Sequence, residues 1–158
     1  MTRLPALGPR GEGWVFAQGV ILVAIAAGGL LGPAWDGDLR VVTSACGIIL
    51  ILAGGILAIR GVVDLREALT ALPYPREGAS LVDTGAYRLV RHPIYGGLIL
   101  GAAGWGLLTA SPAALLGAGG LFVFFDLKSR REEAWLARAY EGYDDYRSRT
   151  RRFFPLAY

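Results

Sequence analysis

The sequence predicts an all-α, polytopic membrane protein: four transmembrane helices and a cytoplasmic C-terminal amphipathic helix. Two observations carry this reading. Apolar residues fall in four blocks, each close to a bilayer crossing in length, and basic residues gather in alternate connections between them. Of the 158 residues, 54% are hydrophobic and 18% charged, whereas a soluble domain carries about 25% charged residues. The length suits a single domain, 1–158.

A bilayer-spanning helix needs about 20 apolar residues, within a range of about 17–25. The first segment is 13–31. Arg3 and Arg10 precede it as in a signal peptide, but the run Trp14–Leu31 exceeds a typical signal core. It is therefore expected to stay as the first membrane helix, with Trp35 at the interface. The second segment is 41–59, free of charge between Arg40 and Arg60. The third, 93–109, and fourth, 112–127, are short, so tilt or local thinning of the bilayer is expected. Ser111-Pro112 starts the fourth segment, because Ser caps a helix and Pro suits its first turn. Segments three and four thus form a tight hairpin. Between segments two and three lies the loop 60–92, and the tail is 128–158.

Charge sets the orientation. Arg60, Arg66, Arg76, Arg88 and Arg91 lie in the middle loop, and eight basic residues from Lys128 to Arg152 lie in the tail. The first connection has Arg40 beside Asp36 and Asp38, and the hairpin turn has no charge. Basic residues stay cytoplasmic, so both termini, the middle loop and the tail are expected inside a multi-pass cell-membrane protein. Arg in place of Lys, with abundant Ala and Gly, suggests a GC-rich bacterial host and hence the inner membrane.

Glycines punctuate the helices at Gly28, Gly32, Gly47, Gly54, Gly55, Gly97, Gly101 and Gly104. Small residues spaced by four, as in Gly97-x-x-x-Gly101, let helix backbones approach. Helix packing is the leading reading and ligand room the second. The glycine faces permit a dimer without requiring one.

Several functions are disfavoured. The net charge of +3 comes from residues beside hydrophobic blocks, which suits anionic lipid headgroups rather than nucleic acid. A lone Cys46 makes neither an internal disulfide nor a metal centre. Asp83-Thr84-Gly85 is a turn. Gly11-Glu12-Gly13 precedes a membrane helix rather than following a strand, so the soluble dinucleotide-type loop is absent.

Two clusters carry candidate chemistry. Arg91-His92-Pro93-Ile94-Tyr95 opens segment three. Arg, His and Tyr thus meet at a helix start whose free backbone N–H groups suit an anion. Glu132-Glu133 follows segment four, on the same membrane side, so the clusters should approach each other. Glu132, Leu136, Tyr140, Tyr143 and Arg147 then recur at helical spacing. That stretch alone reads as a basic amphipathic helix on anionic lipid, weakened or divided at Gly142.

The run Leu81-Val82-Asp83-Thr84-Gly85-Ala86-Tyr87-Arg88-Leu89-Val90-Arg91-His92-Pro93-Ile94-Tyr95-Gly96-Gly97, with Glu132-Glu133, Tyr143-x-x-Tyr146, Arg149 and Phe154-Pro155, resembles membrane methyltransferases. The family includes isoprenylcysteine carboxyl methyltransferase and the phospholipid methyltransferases. The resemblance covers about Leu81 to Pro155. Tyr140-Glu141-Gly142 stands where the family pattern has Phe-Gly, and the stretch from Glu133 to Tyr143 is one residue shorter.

The resemblance implies an S-adenosyl-L-methionine-dependent enzyme acting on a lipophilic small molecule or lipid, by carboxylate O-methylation or lipid N- or S-methylation. It implies a cofactor shell of Tyr87, Val90, Arg91, His92, Pro93, Tyr95, Gly97, Glu132 and Glu133. Glu133 is expected nearest the cofactor's polar end, with Glu132 in support or as the second candidate. Arg149 is expected near the reacting centre or an acceptor carboxylate, and His92 or a glutamate as proton acceptor for an amine. The competing readings are a small four-helix transporter and a non-catalytic membrane scaffold. Transporters keep an ionisable residue within the membrane, and segments one to three have none in their interiors.

Overall fold

The computed structural model describes residues 5–155. Five α-helices occur there: α1 (Glu12–Leu31), α2 (Leu39–Leu65), α3 (Pro93–Leu108), α4 (Pro112–Ala139) and α5 (Tyr143–Arg149). Helices α1, α2 and α4 are long and apolar enough to cross a membrane, and α3 is a shorter apolar helix of 16 residues. Their outer faces are apolar and bare. Phe16, Val41 and Leu116 are each more than three-quarters exposed, a pattern suited to lipid and not to water.

The hairpin forms as its start signal predicts. The Ser111 hydroxyl accepts the backbone N–H of Ala114 at 3.2 Å and donates to the Gly28 carbonyl at 2.8 Å. One side chain thus caps α4 and fastens the turn to α1. Helix α2 lies along α3, α3 along α4, and α4 along α1. A core of Ile25, Ile99, Leu121 and Phe125, with Ala102, Ala114 and Ala118, fills the space between α1, α3 and α4.

The α2–α3 contact is a backbone seam. A Cβ on Gly54 would lie 2.5 Å from the Gly97 carbonyl oxygen, and one on Gly47 would lie 2.6 Å from that of Gly104. Gly61 meets Pro93 one step along, at 2.9 Å. The three α2 glycines are seven residues apart, the spacing at which one helix face returns.

Two expected boundaries change. Helix α4 does not stop at 127; it continues three turns to Ala139. The tail is therefore no single amphipathic helix. Its first part extends α4, and α5 begins after Gly142, whose φ of 81° breaks the run.

The tail also folds back onto the bundle instead of lying free on a membrane surface. Beyond α5, Arg91 and His92 donate their backbone N–H groups to the carbonyls of Arg151 (2.8 Å) and Arg152 (2.9 Å). Val90 and Arg151 form a parallel bridge. Phe153, fully buried, sits against Phe122 and the His92 ring. The chain's last described turn thereby closes over the start of α3.

Candidate active site

The start of α3 and the end of α4 do meet. His92 precedes Pro93, which occupies the first turn of α3. There its buried ring lies between two carboxylates, with Nε2 3.2 Å from Glu133 Oε1 and Nδ1 3.9 Å from Glu132 Oε2. It stacks on Tyr95 at 5.3 Å, nearly parallel, and the Tyr95 hydroxyl donates to Glu132 Oε2 at 2.7 Å.

Neighbouring glutamates project about 100° apart on a helix, and here they face different surroundings. Glu133 enters a buried ionic cluster. Its Oε1 accepts Arg91 Nε at 3.0 Å and Arg152 Nε at 3.3 Å, and Arg147 Nε lies 3.5 Å from Oε2. Arg91 also donates to the carbonyls of Arg147 (3.1 Å) and Thr150. The cluster therefore ties α3, α4, α5 and the closing segment together.

Glu132 instead lines a cavity of about 400 Å³, within the range of about 300–1,000 Å³ for small-molecule pockets. Arg91, His92 and Tyr95 bound it on one side, and Leu136, Tyr140 and Tyr143 on another. Val15 and Gln18 of α1, Val62 and Leu65 of α2, and the segment 68–76 complete the wall. Tyr87 and Tyr146 also reach it. The Tyr146 hydroxyl donates to the Tyr87 carbonyl at 2.8 Å, and Ala86 N–H donates to Asp64 Oδ2 at 2.7 Å. These bonds set the turn that presents Tyr87.

Burial raises the phenols of Tyr87, Tyr143 and Tyr146 well above the usual tyrosine range. The Glu132 charge adds to this at Tyr87, and that of Glu133 at Tyr143. All three are neutral hydroxyls at physiological pH. The Tyr143 hydroxyl is buried without a hydrogen-bond partner among the described residues. A buried polar group left unpaired costs about 1–3 kcal/mol.

Residues 42–142 match the family model described as phospholipid methyltransferase. The chain belongs to that family. Two curated relatives are similar over a shorter stretch. A protein called nickel-cobalt-cadmium resistance protein NccN, from Alcaligenes xylosoxydans xylosoxydans, is 38% identical over 82 residues. One called cobalt-zinc-cadmium resistance protein CzcN, from Cupriavidus metallidurans, is 36% identical over 81 residues. Each match covers 51% of this chain but 38% of the relative, so the chain spans well under half of the curated relatives it matches.

Among the site residues expected from the sequence, this member of the phospholipid methyltransferase family brings Tyr87, Arg91, His92, Tyr95 and Glu132 to the cavity wall. Other expected residues lie elsewhere. Glu133 sits behind the wall in its ionic cluster. Val90 is buried beside Arg151, Pro93 packs on Gly61, and Gly97 packs on Gly54 and Ala58. Arg149 is mostly exposed and pairs with Asp83 at 2.7 Å. Sequence reasoning missed Gln18 and Lys128 on the wall, and Arg152 in the cluster. Lys128 had one available signal, its i, i+4 spacing from Glu132, which places both on one helix face.

Proposed function

We propose that the chain is a membrane-embedded, S-adenosyl-L-methionine-dependent methyltransferase acting on a lipophilic acceptor. Four helices would cross the bilayer, with α3 tilted or set in thinned lipid, and the cavity would open on the cytoplasmic side of a bacterial inner membrane. The observation that carries this reading is a cavity of cofactor-compatible size, with Glu132 on its wall and oriented by the Tyr95 hydroxyl, in a chain of a methyltransferase family.

The residues present fit the cofactor. Glu132 offers a carboxylate for an ammonium group, and the tyrosines of the wall, Tyr87, Tyr140 and Tyr146 among them, offer aromatic surface. The cofactor supplies a methyl group on a sulfonium, already activated for transfer. The protein's part is alignment and exclusion of water, which together are worth up to about 7–11 kcal/mol. Tyr95 aims Glu132 through its 2.7 Å hydrogen bond. The segment 68–76 completes the cavity wall between α2 and the turn that carries Tyr87. Glu133 acts from behind, holding Arg91 and His92 in place. An amine acceptor must lose a proton, and His92 is the base within the wall; a carboxylate or thiolate acceptor requires none. Arg149 secures the Asp83 turn.

Calorimetric titration of the protein in a neutral detergent with S-adenosylhomocysteine tests this reading. The unaltered protein is expected to bind one equivalent. Glu132→Gln is expected to weaken binding at least tenfold, about 1.4 kcal/mol, and Tyr95→Phe by less. No binding across several lipid compositions would overturn the reading in favour of a transporter or scaffold.

A further inference from the structure

Lys128 is not used by the proposed reaction. It is nevertheless buried, at 1% exposure, on the cavity wall. Its Nζ donates to Gln18 Oε1 of α1 at 2.6 Å and lies 4.9 Å from the centre of the Tyr95 ring. Among the described residues no carboxylate forms an ion pair with it; the Glu132 charge, one turn along the same helix, acts on it only at longer range. A buried ammonium is costly without an anionic partner, and an amide oxygen and a ring face compensate only in part. The amide nitrogen of Gln18 makes no hydrogen bond among the described residues, so it provides further donors beside the ammonium.

Position limits what the anion belongs to. Along each helix, the wall residues farthest from the Glu132–Tyr143 end are Gln18, Val62, Tyr95 and Lys128. Lys128 is one helical turn deeper than Glu132, about 6 Å. The other wall residues of these helices near that end, Val15, Val62 and Ile94, are apolar. They suit a hydrocarbon body, not a second polar group.

We propose that Lys128 and Gln18 form an oxyanion subsite at the inner end of the cavity, holding the carboxylate or phosphate of a lipophilic ligand. The subsite rests on the methyltransferase reading only for its meaning, as the place where the acceptor's anionic group is gripped. Its existence rests on the buried ammonium and the free amide donors.

The test titrates the protein in maltoside detergent with decanoate, decyl phosphate and decanol, and separately with S-adenosylhomocysteine. At least one anion is expected to bind ten times or more tightly than decanol. Preference for decanoate assigns a carboxylate lipid; preference for decyl phosphate assigns a phospholipid. Lys128→Met and Gln18→Leu are each expected to bring the anions to the level of decanol, and Lys128→Arg to retain part of the preference. S-adenosylhomocysteine affinity should stay within about threefold in all three variants. Gln18→Leu, on a different helix, keeps the test decisive should Lys128→Met fail to fold. The proposal is overturned by equal binding of anions and decanol to the unaltered protein. It is also overturned if the variants lose S-adenosylhomocysteine instead, because Lys128 would then serve the cofactor. Anion preference without any S-adenosylhomocysteine binding would keep the subsite and reject the methyltransferase reading.

Discussion

Glu133→Ala is expected to lower the thermal unfolding midpoint more than any other single change in the site, while Glu132→Ala leaves it nearly unchanged. The glutamates are adjacent in sequence and opposite in circumstance. Glu133 is 3% exposed and touches Arg91, His92 and Arg152 within 3.3 Å. Removing it leaves the Arg91 guanidinium, its side chain 8% exposed, without a carboxylate, and takes from Arg152 one of its two, the other being Asp126. Breaking a buried pair from one side costs about 3–5 kcal/mol. Glu132 faces the cavity, where a water can replace its lost contacts. For a chain of this size the Glu133 loss corresponds to roughly 6–20 °C, read by tryptophan fluorescence in detergent. S-adenosylhomocysteine binding should show the opposite ranking, with Glu132→Gln impaired and folded Glu133→Gln close to normal. A Glu133→Ala midpoint indistinguishable from the unaltered protein would refute the structural role of the cluster.

That ranking reverses the order in which the sequence placed the two residues, and the reason is geometric. Periodicity brought Glu132, Leu136, Tyr140 and Tyr143 onto one face, and that face does line the cavity. It could not show that Arg152, nineteen positions on, returns to draw Glu133 the other way. The docking of the closing segment on Arg91 and His92 depends on backbone hydrogen bonds, which carry no side-chain signature. The apolar blocks were legible because lipid imposes a length and a composition on them. The extension of α4 to Ala139 was not, since its last turns pack on protein and a polar sequence satisfies that equally well. The meeting of His92 with the glutamate pair followed from hairpin topology alone, and the distances agree with it. Lys128 was read as one more cytoplasmic charge because its burial depends on Gln18 of a distant helix.

The seam between α2 and α3 makes the second large prediction, because four glycines of similar appearance should respond in opposite ways. Alanine favours a helix over glycine by about 1 kcal/mol, so a glycine with open space around it should gain from Gly→Ala. Gly55 and Gly101 have nothing within 4 Å of an added Cβ. Gly55→Ala and Gly101→Ala are expected to leave the midpoint unchanged or raise it slightly. Gly54 and Gly97 face each other's carbonyl oxygens, 2.5 Å from a Cβ on Gly54. The obstructing atoms are backbone, so no rotamer change relieves them, and overpacking of this kind costs about 1–3 kcal/mol. Gly54→Ala and Gly97→Ala should therefore lower the midpoint, and Gly54→Val should prevent accumulation of folded protein. The consequence reaches the cavity: Val62 and Leu65 of α2 and Ile94 and Tyr95 of α3 line it, and α2 and α3 can hold those walls in register only while their backbones touch. Folded Gly54→Ala should accordingly bind S-adenosylhomocysteine more weakly than Gly55→Ala does. Equal midpoints for all four alanine variants would show that the two helices do not pack through this face.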